Sequence, residues 1–206
     1  MSNSNSGWNL YTNLLEATMA SGVYNPEELK DFMISPSLVE KGTYSELDQV
    51  AMSMKGLLAS LNSAQEINAL PTIAAGFDVL FGSMKTADVK ELDENASLIS
   101  ASISELYSNK LLTDKDRNEF EAGLLSQVKT LTWDSELFKD ITEEEFNNLS
   151  WQELFPLFSN LNPETEAFKI AKMVVQGLIN GLDDDGAAKM AMNLGFDTLA
   201  ALKNAF

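Results

Sequence analysis

The residues of this chain best placed to do chemistry are carboxylates in two dense runs, Glu143-Glu144-Glu145 and Asp183-Asp184-Asp185-Gly186. Clustered carboxylates hold hard cations such as calcium through oxygen ligands, which makes Asp183 and Asp185 weak metal candidates. Adjacent aspartates do not supply the alternating ligands of a calcium-binding helix–loop–helix, and the position where its bidentate Glu would stand is Met192. The triplet makes better sense as the start of a following helix, Ala187 to Asn193, where the helix dipole favours anions.

Composition closes the common catalytic routes. With no histidine and no cysteine, Ser-His-Asp and Cys-His nucleophiles, imidazole proton transfer, His- or Cys-ligated zinc and the Glu-x-x-His di-iron site are all excluded. Carboxylate or lysine chemistry remains, for example two acids about a glycosidic bond. Among 31 acidic residues some pair always lies close in space, so no particular pair is singled out. Neither of the phosphate-binding patterns Gly-x-x-x-x-Gly-Lys-Ser/Thr and Gly-x-Gly-x-x-Gly occurs. The expectation is a non-enzymatic protein with no cofactor.

Charge then says what the chain could bind. The net charge is −17, from 31 acidic against 14 basic residues, which argues against nucleic acid and anionic membrane surfaces, since both need a positive face. Only Arg117 is arginine, so the bidentate clusters that hold phosphates are missing as well. A basic protein partner is the natural alternative. Residues 86–150 carry 15 acidic and 6 basic side chains, a net −9 and more than half of the total.

Within 133–161 the acids are interleaved with rings: six of the chain's 18 aromatics, Trp133, Phe138, Phe146, Trp151, Phe155 and Phe158, lie there. Short helices must bury large rings to be held at all, so most of these rings are expected in the core. One or two rimmed by carboxylates would make a contact surface for a basic partner. The candidate partner-binding residues are Trp133, Asp134, Glu136, Asp140, Glu143, Glu144, Glu145 and Trp151. The functional expectation is a non-catalytic acidic helical binding protein of the inhibitor, immunity or adaptor kind, including a mimic of nucleic-acid charge. The alternative is a self-associating or secreted helical protein that applies the apolar segment 67–84 to a membrane.

The elements that must position these residues read as helices throughout. The expected fold is all-α, an irregular multi-helix bundle of roughly ten helices around a central helix at 163–182. That helix is expected to start with an Asn162 cap, Pro163 at the first position and Glu164 and Glu166 in the first turn. Its polar residues Lys169, Lys172, Gln176 and Asn180 fall on one stripe, and every other face is apolar. Gly177 and Gly181 allow close helix approach.

Before it, helices are expected at Trp8–Ala20, from Asn25-Pro26 through Ile34, from Thr43 or Ser45 to Leu61, at 72–84, from Asp88 or Asp93 to Ser108, and from Thr113 to Leu131. Ser63 is expected to open a short helix that Pro71 interrupts. Thr132, Thr142 and Ser150 give capping signals, and Asp197 is expected to cap a last helix to Phe206. A flexible tail at 1–6 and a single domain at 7–206, with a subdivision near 82–86 as the alternative, complete the expected organisation. No run of 18 uncharged apolar residues and no signal-like amino terminus occur. The expected location is cytoplasmic, or exported without a cleaved signal peptide.

Overall fold

Helix after helix in this chain begins at a small polar residue hydrogen-bonded to a carboxylate three positions on. The structure, a computed structural model, describes residues 26–34, 41–64, 70–108 and 112–206. Ten helices and no strand stand among them. They are α1 (Pro26–Met33), α2 (Glu46–Ala64), α3 (Leu70–Met84), α4 (Val89–Tyr107), α5 (Asp114–Thr132), α6 (Glu143–Asn148), α7 (Trp151–Ser159), α8 (Glu166–Asn180), α9 (Asp184–Asn193) and α10 (Leu199–Ala205). The fold is all-α, as the periodicity predicts. The expected helix at Trp8–Ala20, the tail at 1–6, the Asn25 cap and Gln65-Glu66 lie outside the described residues.

The chain divides into two compact units, residues 1–98 and 99–206, with the boundary inside α4. In the first, α1, α2 and α3 pack together around Leu29, Met33, Leu47, Val50, Met54, Leu57, Leu58, Ile73, Phe77, Leu80 and Phe81, all buried. Gly76 lets α3 approach α2: a Cβ there would stand 2.7 Å from the Met54 sulfur and 3.2 Å from Leu57. Of the apolar stretch considered for membrane contact, the described residues 70–84 lie in this core through Ile73, Phe77, Leu80 and Phe81. No described helix is long and apolar enough to cross a membrane.

Box geometry sets the helix starts of this unit. Ser45 N donates to Asp48 Oδ2 at 2.9 Å and Asp48 N to Ser45 Oγ at 3.1 Å; Asp88 and Glu91 exchange the same pair at 3.0 and 2.9 Å. Asn95, buried on α4, donates to Asp48 Oδ1 at 2.6 Å. Ser63 lies within α2 and so does not cap a helix, and residues 65–69 of the short helix expected between Ser63 and Pro71 lie outside the described residues. Pro71 is itself helical, in α3.

In the second unit α8 is the central element. Ala167, Phe168, Ile170, Ala171, Met173, Val174, Val175, Gly177, Leu178 and Ile179 are buried, and it packs on α5, α7 and α9. Its glycines meet α4: a Cβ on Gly177 would stand 2.6 Å from Ile103 Cβ, and one on Gly181 would stand 2.8 Å from Ser108 Cβ and 2.9 Å from Ser104 O. Ser100 Oγ on α4 donates to Met173 O at 3.0 Å. The predicted polar stripe at Lys169, Lys172, Gln176 and Asn180 is the less buried side.

The start of α8 lies later than predicted. Thr165 is the cap and accepts from Phe168 N at 3.3 Å. Asn162 instead closes the preceding turn: its side chain accepts from Glu164 N at 3.0 Å and its carbonyl from Thr165 N at 2.9 Å. Two other caps move. Thr132 ends α5, its hydroxyl donating to Val128 O at 2.6 Å, so it starts nothing. Thr198, not Asp197, caps α10, accepting from Ala201 N at 3.0 Å.

Candidate functional site

The acid- and ring-rich segment begins where α5 ends. Trp133 N still donates to Lys129 O at 3.1 Å, but Trp133 is extended, and the chain turns. Asp134 makes that turn. Its carbonyl accepts from Leu137 N at 3.2 Å and Phe138 N at 3.0 Å, and its carboxylate from Glu136 N at 2.7 Å. Thr142 then opens α6 with a full box: Thr142 N and Oγ1 donate to Glu145 Oε2 at 2.7 and 2.8 Å, and Glu145 N returns to Thr142 Oγ1 at 3.2 Å. Ser150 opens α7 by donating from N and Oγ to Glu153 Oε2 at 2.8 and 2.7 Å.

The rings go inward, as short helices require. Phe146 is the only buried residue of the six-residue α6, and its ring centroid lies 4.8 Å from Phe138 and 5.1 Å from Trp133. Trp133 stacks on Phe138 at 6.2 Å with an interplanar angle of 12°. Phe158 touches both phenylalanines and Phe155, which in turn meets Trp151 at 5.1 Å and Phe206 at 6.1 Å. Phe206 joins Phe168 and Phe196 to the set. Nine rings thus form one continuous hydrophobic array, with Phe146, Phe155 and Phe158 fully covered, Phe138 buried and Trp133 and Trp151 half-buried.

The acids go outward. Asp134, Glu136, Asp140, Glu143, Glu144 and Glu145 are all exposed, and none is in an ion pair among the described residues. Leu137, at 36 % exposure, stands among them. The structure therefore brings Trp133, Asp134, Glu136, Asp140, Glu143, Glu144 and Glu145 onto one turn-and-helix segment. Trp151 belongs to a different place in the array, joined to Trp133 among the described ring contacts through Phe155, Phe158 and then Phe138 or Phe146. Glu145 differs from its neighbours, since its carboxylate is already engaged by Thr142. Those bonds, the backbone one foremost, hold its pKa below the ordinary glutamate value, and Ser150 does the same for Glu153.

One residue of this region is invisible to acid-and-ring reasoning. Lys129, on α5, is buried at 9 % exposure, and its ammonium donates to Asn147 O at 2.7 Å. Burial pushes its pKa down, and the nearby Glu153 charge opposes that shift. A signal existed: Lys129 follows Leu125 by four and Val128 by one, on the apolar side of α5.

The second acidic run takes the capping role. Asp183 caps α9, its carboxylate accepting from Gly186 N at 2.8 Å, while Asp184 and Asp185 occupy the first turn. No group of three or more acids is arranged to hold a metal ion among the described residues. The chain matches no protein-family model, no curated protein and no solved structure.

Proposed function

We propose that the protein is a non-catalytic binding protein that engages a basic protein partner through the acidic surface at 133–145, as an inhibitor, immunity or adaptor protein would. One observation carries this reading: Asp134, Glu136, Asp140, Glu143 and Glu144 are exposed and free of ion pairs among the described residues, in the same segment as the exposed Leu137. Uncompensated like charges are retained on a surface where they steer encounter and fix orientation, and an apolar centre adds contact area.

The test is a titration with a lysine-rich peptide at a series of salt concentrations. Binding at low ionic strength should weaken steeply with salt, because exposed charges are screened beyond about 10 Å at 0.1 M. It should also weaken when Asp134, Glu136, Asp140, Glu143 and Glu144 are replaced by their amides. No binding at low salt, or binding indifferent to salt and to these replacements, refutes the reading.

A further inference from the structure

Lys129 is the one buried lysine among the described residues, and its position relative to the acidic surface gives it a role. α5 ends one turn after it, at Thr132; the chain then makes the acidic turn, and α6 returns Asn147 to within 2.7 Å of its ammonium. The bond therefore closes a loop of residues 130–146 that contains all five unpaired carboxylates. Asn147 O belongs to the last turn of α6, where carbonyls lack intrahelical partners and cations are favoured. A six-residue helix has little stability of its own, so a charge-assisted bond at its end and Phe146 beneath it decide whether it stays in place.

We propose that Lys129 is the positioning residue of the acidic surface: its ammonium clamps the two ends of the 130–146 segment and so fixes the spacing of the carboxylates that a basic partner meets. This rests on the reading that the surface binds such a partner. A surface already held in its binding shape loses less conformational freedom on association, and the clamp raises affinity by that route. The charge of Glu153 opposes the downward shift that burial imposes on the ammonium.

Lys129→Met keeps the aliphatic stem and deletes the donor; Lys139→Met removes the same charge from the exposed lysine within the turn itself. Charge alone predicts that both variants bind a lysine-rich peptide more tightly than the parent, because each makes the protein more acidic. The clamp predicts opposite signs: tighter binding for Lys139→Met and roughly tenfold weaker binding for Lys129→Met. Measurements are made on the full chain, well below the melting temperature, with circular dichroism showing both variants folded. A folded Lys129→Met that binds at least as tightly as the parent overturns the proposal. If the parent binds no peptide, the binding reading fails separately and amide exchange over Trp133–Phe146 judges the clamp. Faster exchange in Lys129→Met than in Lys139→Met supports it, and equal exchange overturns it. Should Lys129→Met not fold, Lys129→Gln replaces it in both comparisons.

Discussion

Phe146 is the side chain on which the short-helix region depends, and Phe146→Ala measures that dependence. The ring is fully buried, with Phe138, Trp133 and Phe158 at centroid distances of 4.8, 5.1 and 6.5 Å. Truncating a buried Phe to Ala costs about 3–5 kcal/mol. The upper half of that range is expected here, because no other residue of α6 is buried and the cavity would be lined by rings. Phe146→Leu keeps most of the volume and loses the three ring pairs, worth about 0.5–1.5 kcal/mol each, so its cost should be about 1.5–4.5 kcal/mol. Urea unfolding is followed by tryptophan fluorescence in a Trp8→Phe background, so that Trp133 and Trp151 report. The Trp133 environment changes first, since its ring touches Phe146 and the Trp151 ring touches Phe155. A loss below about 1 kcal/mol for Phe146→Ala would refute the packing described here.

Two further outcomes are expected. Gly195 has φ +86°, and a Cβ there would run into the Gln152 carbonyl and stand 2.9 Å from Pro156 Cγ; Gly195→Ala should therefore lower the melting temperature sharply, and an unchanged calorimetric transition would contradict the left-handed turn. Acid should also destabilise the fold: hydrogen bonds from Thr113, Thr142 and Ser150 hold Asp116, Glu145 and Glu153 below their ordinary pKa values, so the stability they contribute is complete above roughly pH 5 and is lost as pH falls through the lowered values. Denaturant midpoints measured between pH 7 and pH 3 should fall, and less so in Glu145→Gln; a flat profile would contradict the capping geometry.

Much of this fold was legible because its signals are local. Apolar spacing located α2 through α5 and α8, and the Ser/Thr-x-x-Glu pattern located the starts of α6 and α7, because a capping box is built from residues three apart. The errors also have local causes. Asn162-Pro163-Glu164 and Thr165-Glu166 are both grammatical helix starts, and sequence cannot rank them; in the structure the first closes a turn and the second caps the helix. Thr132 reads as a cap until its hydroxyl is seen to bond back to Val128 O, the alternative that threonine always carries within a helix. Lys129 was passed over for a different reason. Its partner lies 18 residues away, and no pattern of local spacing records a side chain that reaches across a turn to a carbonyl.

The same structure explains why the candidate surface is narrower than the acidic region that suggested it. Along α4 and α5 many acids already have local work: Glu91 and Asp116 complete boxes, and Glu94, Glu119 and Asp114 pair with Lys90, Lys115 and Arg117. Glu121 accepts from the Tyr107 hydroxyl at 2.7 Å, which together with burial raises the tyrosine pKa. Between Trp133 and Phe146 only Asp134 and Glu145 are engaged among the described residues, each in shaping its own turn or cap. Surface carboxylates that hold the fold through caps and i,i+4 pairs have their field partly neutralised where they stand. Asp140, Glu143 and Glu144 have no such compensation among the described residues, while the rings beside them are turned inward. On the proposed reading, this segment offers a partner charge held on its backbone, with the exposed Leu137 in the same stretch, and such a partner would bring cations rather than a hydrophobic pocket, since Phe138 and Phe146 are buried.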